Sequence, residues 1–91
     1  MKWDEAKRAR NLAKHGLDFA HASLVLDNPL RLDVETVRNN ERRMQSFAYV
    51  FNRLAVLTVV HTGEDQRIIS FRRASREGRE VYHEWLAYRF E

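Results

Sequence analysis

Arginines dominate the stretch Arg67–Tyr82, RIISFRRASREGREVY, and their spacing is the first pointer to chemistry. Arg72 and Arg73 close a short β-branched run that reads as a strand, and Ser75 follows as a helix N-cap. Arg76 then falls in the first helical turn, so guanidinium forks and helix-end amides converge as they do in an anion site. A solvated, charged helix end is the competing reading. His61 closes an apolar run and has an unperturbed pKa near neutrality, which suits a base or an acid; a half-buried strand-end histidine is the alternative. Glu41 beside Arg42 and Arg43 is either a base held by its neighbours or an ordinary ion pair on a turn. Tyr82 reads as a packed ring with its hydroxyl at the surface, and His15 as a helix C-terminal histidine favoured by the dipole. Metal-free RNA cleavage asks for about this set: a base for the 2′-hydroxyl, cations around phosphorus, and an acid for the departing 5′-oxygen. The four histidines show no metal-ligand spacing, and neither a glycine-rich phosphate loop nor a serine elbow is present.

The elements that must position these groups follow from periodicity. Met1–Trp3 is at most the end of an edge strand. Asp4 caps a helix over Glu5–His15, which Gly16 stops in the left-handed conformation with Leu17 as the apolar follower. Ala6, Ala9 and Ala13 make a small-residue stripe for close packing, while Lys7, Asn11 and Lys14 share a polar face. Asp18 caps a second helix whose stripe, Phe19, Ala22, Val25 and Leu26, ends at Pro29. From Leu30 the period becomes two: Leu30, Leu32 and Val34 alternate with charges. Arg38–Glu41 is a turn, Gln45–Asn52 alternates with Phe47, Tyr49 and Phe51 on one face, and Leu54–His61 reads as a central strand covered on both sides. Thr62–Asp65 turns the chain into the arginine strand, where Ile69 and Phe71 face the core and Ser70 and Arg72 face a partly open side. The last helix presents Val81, Tyr82, Trp85, Leu86 and Phe90. The order predicts α+β: two N-terminal helices, a four-stranded antiparallel meander and a C-terminal helix.

Ninety-one residues imply one small domain over 1–91 with a modest core. Without cysteine there is no disulfide or thiolate–zinc staple, and no apolar run is long enough to span a bilayer, so a soluble cytoplasmic protein without a cofactor is expected. The net charge of +3 is modest, but residues 42–79 carry eight basic and three acidic side chains, 8 − 3 = +5. Thirteen of the sixteen cations are arginine, the side chain suited to bidentate phosphate contact, so a polyanion or an acidic protein is the expected partner.

The motifs also occur in a recognisable order. Trp3-Asp4, Lys7, Asn11, Lys14-His15-Gly16, Phe19 and Ala22 are followed by Glu41-Arg42-Arg43, Val59-Val60-His61-Thr62, the RIISxRxA strand and Tyr82. Taken together this resembles the BrnT family of type II toxin–antitoxin toxins over almost the whole chain. The resemblance implies a RelE-like fold, growth arrest through RNA cleavage, and neutralisation by a BrnA-type antitoxin whose ribbon-helix-helix half carries the complex to operator DNA, as a homodimer or a heterotetramer with the antitoxin. It marks Lys7, Lys14, Arg42, Arg67, Arg72, Arg76 and Tyr82 as site positions. Two departures bear on the site: Phe71 stands where the family commonly has a small residue, and Gly78 interrupts the start of the last helix. The expected protein is a metal-independent endoribonuclease in which Arg72 and Arg76 hold the scissile phosphate and His61, Glu41 and Tyr82 are the other catalytic candidates. Lys7, Lys14, Arg42, Arg67 and Arg73 guide RNA. A basic module that binds antitoxin or RNA without cutting is the rival.

Overall fold

A computed structural model describes residues 1–62 and 66–90. The turn expected at Thr62–Asp65 lies mostly outside the described residues. The chain runs through α1 (Glu5–His15), a 3-10 turn (Phe19–His21), the short α2 (Ser23–Leu26), β1 (Leu32–Arg38), β2 (Glu41–Val50), β3 (Ala55–Thr62), β4 (Ile68–Arg73) and α3 (Arg76–Arg89). The strands form one antiparallel sheet in the order β1-β2-β3-β4, the expected meander. The expected second helix is broken into the 3-10 turn and one α-turn, while Phe19, Ala22 and Val25 still bury their side chains. No helix among the described residues is long and apolar enough to cross a membrane.

Local chemistry explains most boundaries. Asp4 accepts from the amides of Ala6 and Lys7 at 2.8 and 3.1 Å, and Gly16, at φ 69°, returns its amide to the Leu12 carbonyl. Asn39 and Asn40 both take positive φ, 52° and 62°, giving the two-residue turn that matches strand twist and pairs Arg38 with Glu41. Ser75 caps α3 by accepting from Gly78 at 3.1 Å.

The sheet is covered on both faces. Leu17, Phe19, Ala22 and Val25 pack on Ala48, Val50, Leu57, Val59, Ile68 and Phe71. On the other face Tyr82, Trp85 and Leu86 of α3 meet Phe47, Val56 and Ala74. This corrects the reading of β2: of its expected aromatic face only Phe47 is buried, and Phe51 lies in the open turn after the strand. The small Ser46 and Ala48 let the opposite face approach the N-terminal helices, so both faces of β2 are covered. The stripe on α3 is likewise narrower than expected, since Val81 and Phe90 stay exposed. In β4, Val60 pairs with Ser70 but His61 pairs with Ile68, so Ile69 is a bulge residue. The bulge puts Ile68, not Ile69, on the same face as Phe71, and both are fully buried.

The inward side of α1 is the largest correction. Ala6, Ala9 and Ala13 are exposed, and the helix instead docks through Arg8, Asn11 and His15. Buried Asn11 donates to the carbonyls of Leu17 and Phe71, each at 2.8 Å, and accepts from the Phe71 amide at 3.1 Å. Its amide thereby supplies the backbone bonds a fifth strand would have made to edge strand β4. Nearer the start of β4 the Lys2 backbone makes a single parallel bridge to Arg67, the expected fragment of an edge strand. Arg8 clasps Asp18 with two bonds, 2.7 and 3.0 Å, and lies 5.6 Å over the Trp3 ring. That guanidinium holds the Asp18 carboxyl well below its ordinary range, down to about 2, with help from the Ala20 amide.

Asn11→Ala leaves the Phe71 amide and two carbonyls without partners in a buried place, at about 1–3 kcal/mol for each unsatisfied group. The expected thermal midpoint is lower by more than about 10 °C, whereas Ala9→Ser on the exposed side changes it by little. A melt of Asn11→Ala that stays within a few degrees of the parent would show that other contacts hold α1.

Candidate functional site

The antiparallel register separates the expected site residues. Thr58 pairs with Arg72 and Phe47 with Thr58, so Phe47, Thr58 and Arg72 stand in one row across three strands. Gln45 and Val34 belong to the same face by alternation. The N-terminus of α3 roofs this face, and between them lies a cavity of about 290 Å³ whose lining includes Gln45, Thr58, Arg72, Ser75 and Gly78. Arg72 is half-buried, and among the described residues it enters no ion pair. Thr58 is nine-tenths buried or more, and its Oγ1 is the buried side-chain oxygen or nitrogen that finds no hydrogen-bond partner among the described residues.

Gly78 makes this geometry possible. A Cβ there would stand 2.8 Å from Cε1 of Phe47, so a larger residue would push the first turn of α3 off the sheet. The glycine that weakens the helix locally is what lets it approach. Phe71, the other departure, points away from the cavity into the opposite core.

His15 joins the site from the edge. α1 docks on the edge of β4 through Asn11, and the Arg72 charge reaches the ring at the end of that helix. Burial, then the charges of Lys14 and Arg72, hold the His15 imidazole below its ordinary pKa. A ring neutral at pH 7 beside a free guanidinium can accept a proton while the cation holds an anion. Lys7 and Lys14 are exposed on the same helix, and Arg73 is exposed at the end of β4.

The other expected residues lie elsewhere. His61 lies on the opposite face from Arg72, because Met44 and Ser46, its neighbours on β2, alternate with Gln45 and Phe47. There Ser46 donates to Asp33 at 2.6 Å and stands 2.9 Å from His61 Nε2, while Arg31 holds Asp33 through two bonds of 2.7 and 3.0 Å. His61 and Arg31 border a separate cavity of about 310 Å³. Burial pushes the Asp33 carboxyl up, but hydrogen bonds from Arg31 and Ser46 outweigh it and leave the group below its usual range. Burial, reinforced by Arg31, lowers His61. Glu41 bridges Arg43 at 3.1 Å and Arg67 at 3.5 Å, and Arg42 meets Glu35 at 3.5 Å. From Arg67 to Arg72 is five strand residues, about 16 Å, so this cluster belongs to the far end of the sheet. Tyr82 is buried and its hydroxyl donates to the Leu30 carbonyl at 2.7 Å, which fixes α3 to the start of β1 rather than reaching the surface. Arg76 is exposed and paired with Glu80 at 3.2 Å.

Asn11, His15, Gln45 and Thr58 were missed by sequence reasoning. Thr58 did leave a signal, as the one hydroxyl inside the apolar run from Leu54 to Val60. His15 left none beyond its place before Gly16.

An antiparallel sheet with a free arginine, a neutral histidine and a helix N-terminus at one edge fits a small α+β toxin acting on a polyanion. Residues 3–78 match the sequence profile described as ribonuclease toxin, BrnT, of type II toxin–antitoxin system, and the chain belongs to that family. No individual curated protein matches the sequence. The family gives the protein the standing of a ribonuclease toxin with an antitoxin partner.

His61 supplies a test on stability. Its folded-state pKa is depressed, so between that value and about 6.5 the unfolded chain binds more protons. Stability is therefore full above about pH 6.5 and declines as pH falls below it. His61→Gln is expected to flatten the fall in melting temperature between pH 7 and pH 5, leaving the smaller slope owed to His15. An unchanged slope would mean that His61 is not buried as described.

Proposed function

We propose that the protein is an endoribonuclease toxin that cuts single-stranded RNA without a metal ion, and that it works at the edge formed by α1, β4 and α3. The observation that carries this reading is an Arg72 with no described ion pair under the N-terminus of α3, close enough for its charge to help keep His15 neutral. In this reading Arg72 and the α3 amides hold the phosphate. His15 takes the proton of the 2′-hydroxyl as its oxygen attacks phosphorus, and the 5′-oxygen leaves and is protonated by solvent. The products are a 2′,3′-cyclic phosphate and a free 5′-hydroxyl. Lys7, Lys14 and Arg73, exposed around the site, draw the RNA backbone by charge. His61, Glu41 and Tyr82 support the fold in this reading, since each is engaged away from Arg72.

The same cationic edge suits neutralisation by a BrnA-type antitoxin that lays carboxylates over it, and the complex would reach operator DNA through the antitoxin. An RNA target and a protein antitoxin put the site of action in the cytoplasm.

Purified protein in EDTA is expected to release fragments ending in cyclic phosphate. Arg72→Ala should lower the rate by about 100-fold or more while shifting the melting temperature little, because Arg72 holds no described structural partner. The rate should fall as His15 becomes protonated, on the acid side of about pH 6.5, and His15→Gln should remove that limb. RNA retarded on a gel but never cut would favour a binding module. Loss of several degrees in Arg72→Ala would mark Arg72 as structural.

A further inference from the structure

The cavity under the first turn of α3 has a composition that phosphate does not explain. Phosphate asks for cations and amides, yet only Arg72 supplies a positive charge here, and the Glu77 carboxylate also lines the space. The deeper lining is neutral: the Phe47 ring, the Gln45 amide and the Thr58 hydroxyl. Its volume of about 290 Å³ lies at the low end for small-molecule pockets. Two features define its floor and its roof. Thr58 Oγ1 is buried with no partner among the described residues, and a buried unpaired hydroxyl is unfavourable until something bonds it. Gly78 lets the roof approach the sheet, since a Cβ there would stand 2.8 Å from the Phe47 ring.

We infer that this cavity receives one unpaired adenine or cytosine base, from the nucleotide adjoining the phosphate at Arg72. The inference rests on the ribonuclease reading for which phosphate is meant, but the pocket itself is tested without cleavage. Single-stranded RNA is read by splaying a base out, packing it against an aromatic ring and bonding its edge. Here Phe47 is the apolar wall. Gln45 offers a donor and an acceptor together, the pair that suits adenine, and Glu77 accepts from an exocyclic amine, as carboxylates do from cytosine. Thr58 gives or takes one bond at the floor. Uracil has a carbonyl where adenine and cytosine carry the amine, so it would turn an acceptor toward a carboxylate. Phosphate stays at the mouth, and the base goes in.

The experiment is a titration of the intact protein, followed through the backbone amides of Gln45, Thr58 and Gly78 by NMR. Adenosine and cytidine 5′-monophosphates are expected to shift these amides and to bind at least about tenfold tighter than uridine 5′-monophosphate or inorganic phosphate. Thr58→Val keeps the shape and removes the hydroxyl. It should melt no lower than the parent yet lose most of that preference, and Gln45→Leu should lose it too. Equal binding of all three nucleotides and phosphate would overturn the inference and leave an anion site. Cleavage separates the two readings. If RNA is cut with no preference at the bond's neighbours and the nucleotides bind alike, the pocket fails and the ribonuclease stands. If adenosine monophosphate seats at Thr58 while RNA is never cut, the pocket stands and the ribonuclease reading fails.

Discussion

The rest of the structure depends on one side-chain amide. Asn11 meets both backbone groups of Phe71 and the carbonyl of Leu17, so a single residue closes the edge of β4 and ties down the chain after α1. An edge strand left open would expose a row of donors and acceptors to any passing strand. Covering it with a helix normally leaves those groups unbonded, because a helix has no free backbone to offer. An inward asparagine solves both problems, and it also fixes the rotation of α1. That rotation is what turns the alanines out and brings His15 within reach of the Arg72 charge.

Six of the thirteen arginines are held in ion pairs among the described residues. Arg8, Arg31, Arg42, Arg43, Arg67 and Arg76 have carboxylate partners, and two of those carboxylates, Asp18 and Glu41, also bond a backbone amide or a second arginine. The density of arginine along the sequence is therefore a poor guide to where an anion would bind. What distinguishes Arg72 among the arginines without a described carboxylate partner is its place opposite Thr58, in the lining of a cavity.

Features written in short-range chemistry were legible in the sequence. Asp4, Gly16, Ser75 and the Asn39-Asn40 pair each satisfy a backbone requirement of their own neighbours, and the meander follows from the short connections between alternating runs. What failed depends on partners distant in sequence. The bulge at Ile69 reverses the face of Ile68 and cannot be inferred from a two-residue period. The inward side of α1 was misread because alanine marks close packing more often than asparagine does, and the Phe71 backbone that Asn11 bonds is sixty residues away. His61 was placed with Arg72 because their strands are adjacent, yet neighbouring strands carry side chains on two faces. Gly78 looked like a flaw until the Phe47 ring supplied its reason.

The separation between Asn11 and Phe71 also imposes an order on folding. Each pairing between successive strands closes a short loop, and such local contacts form early. The bond from α1 to β4 is of another kind, since it spans sixty residues. On the ribosome α1 emerges first and has nothing to dock against until β4 has followed it through the exit tunnel. The histidine and the arginine thus meet only after β4 has been made. The edge that would hold a phosphate is therefore assembled late, by a contact between the first helix and the last strand of the fold.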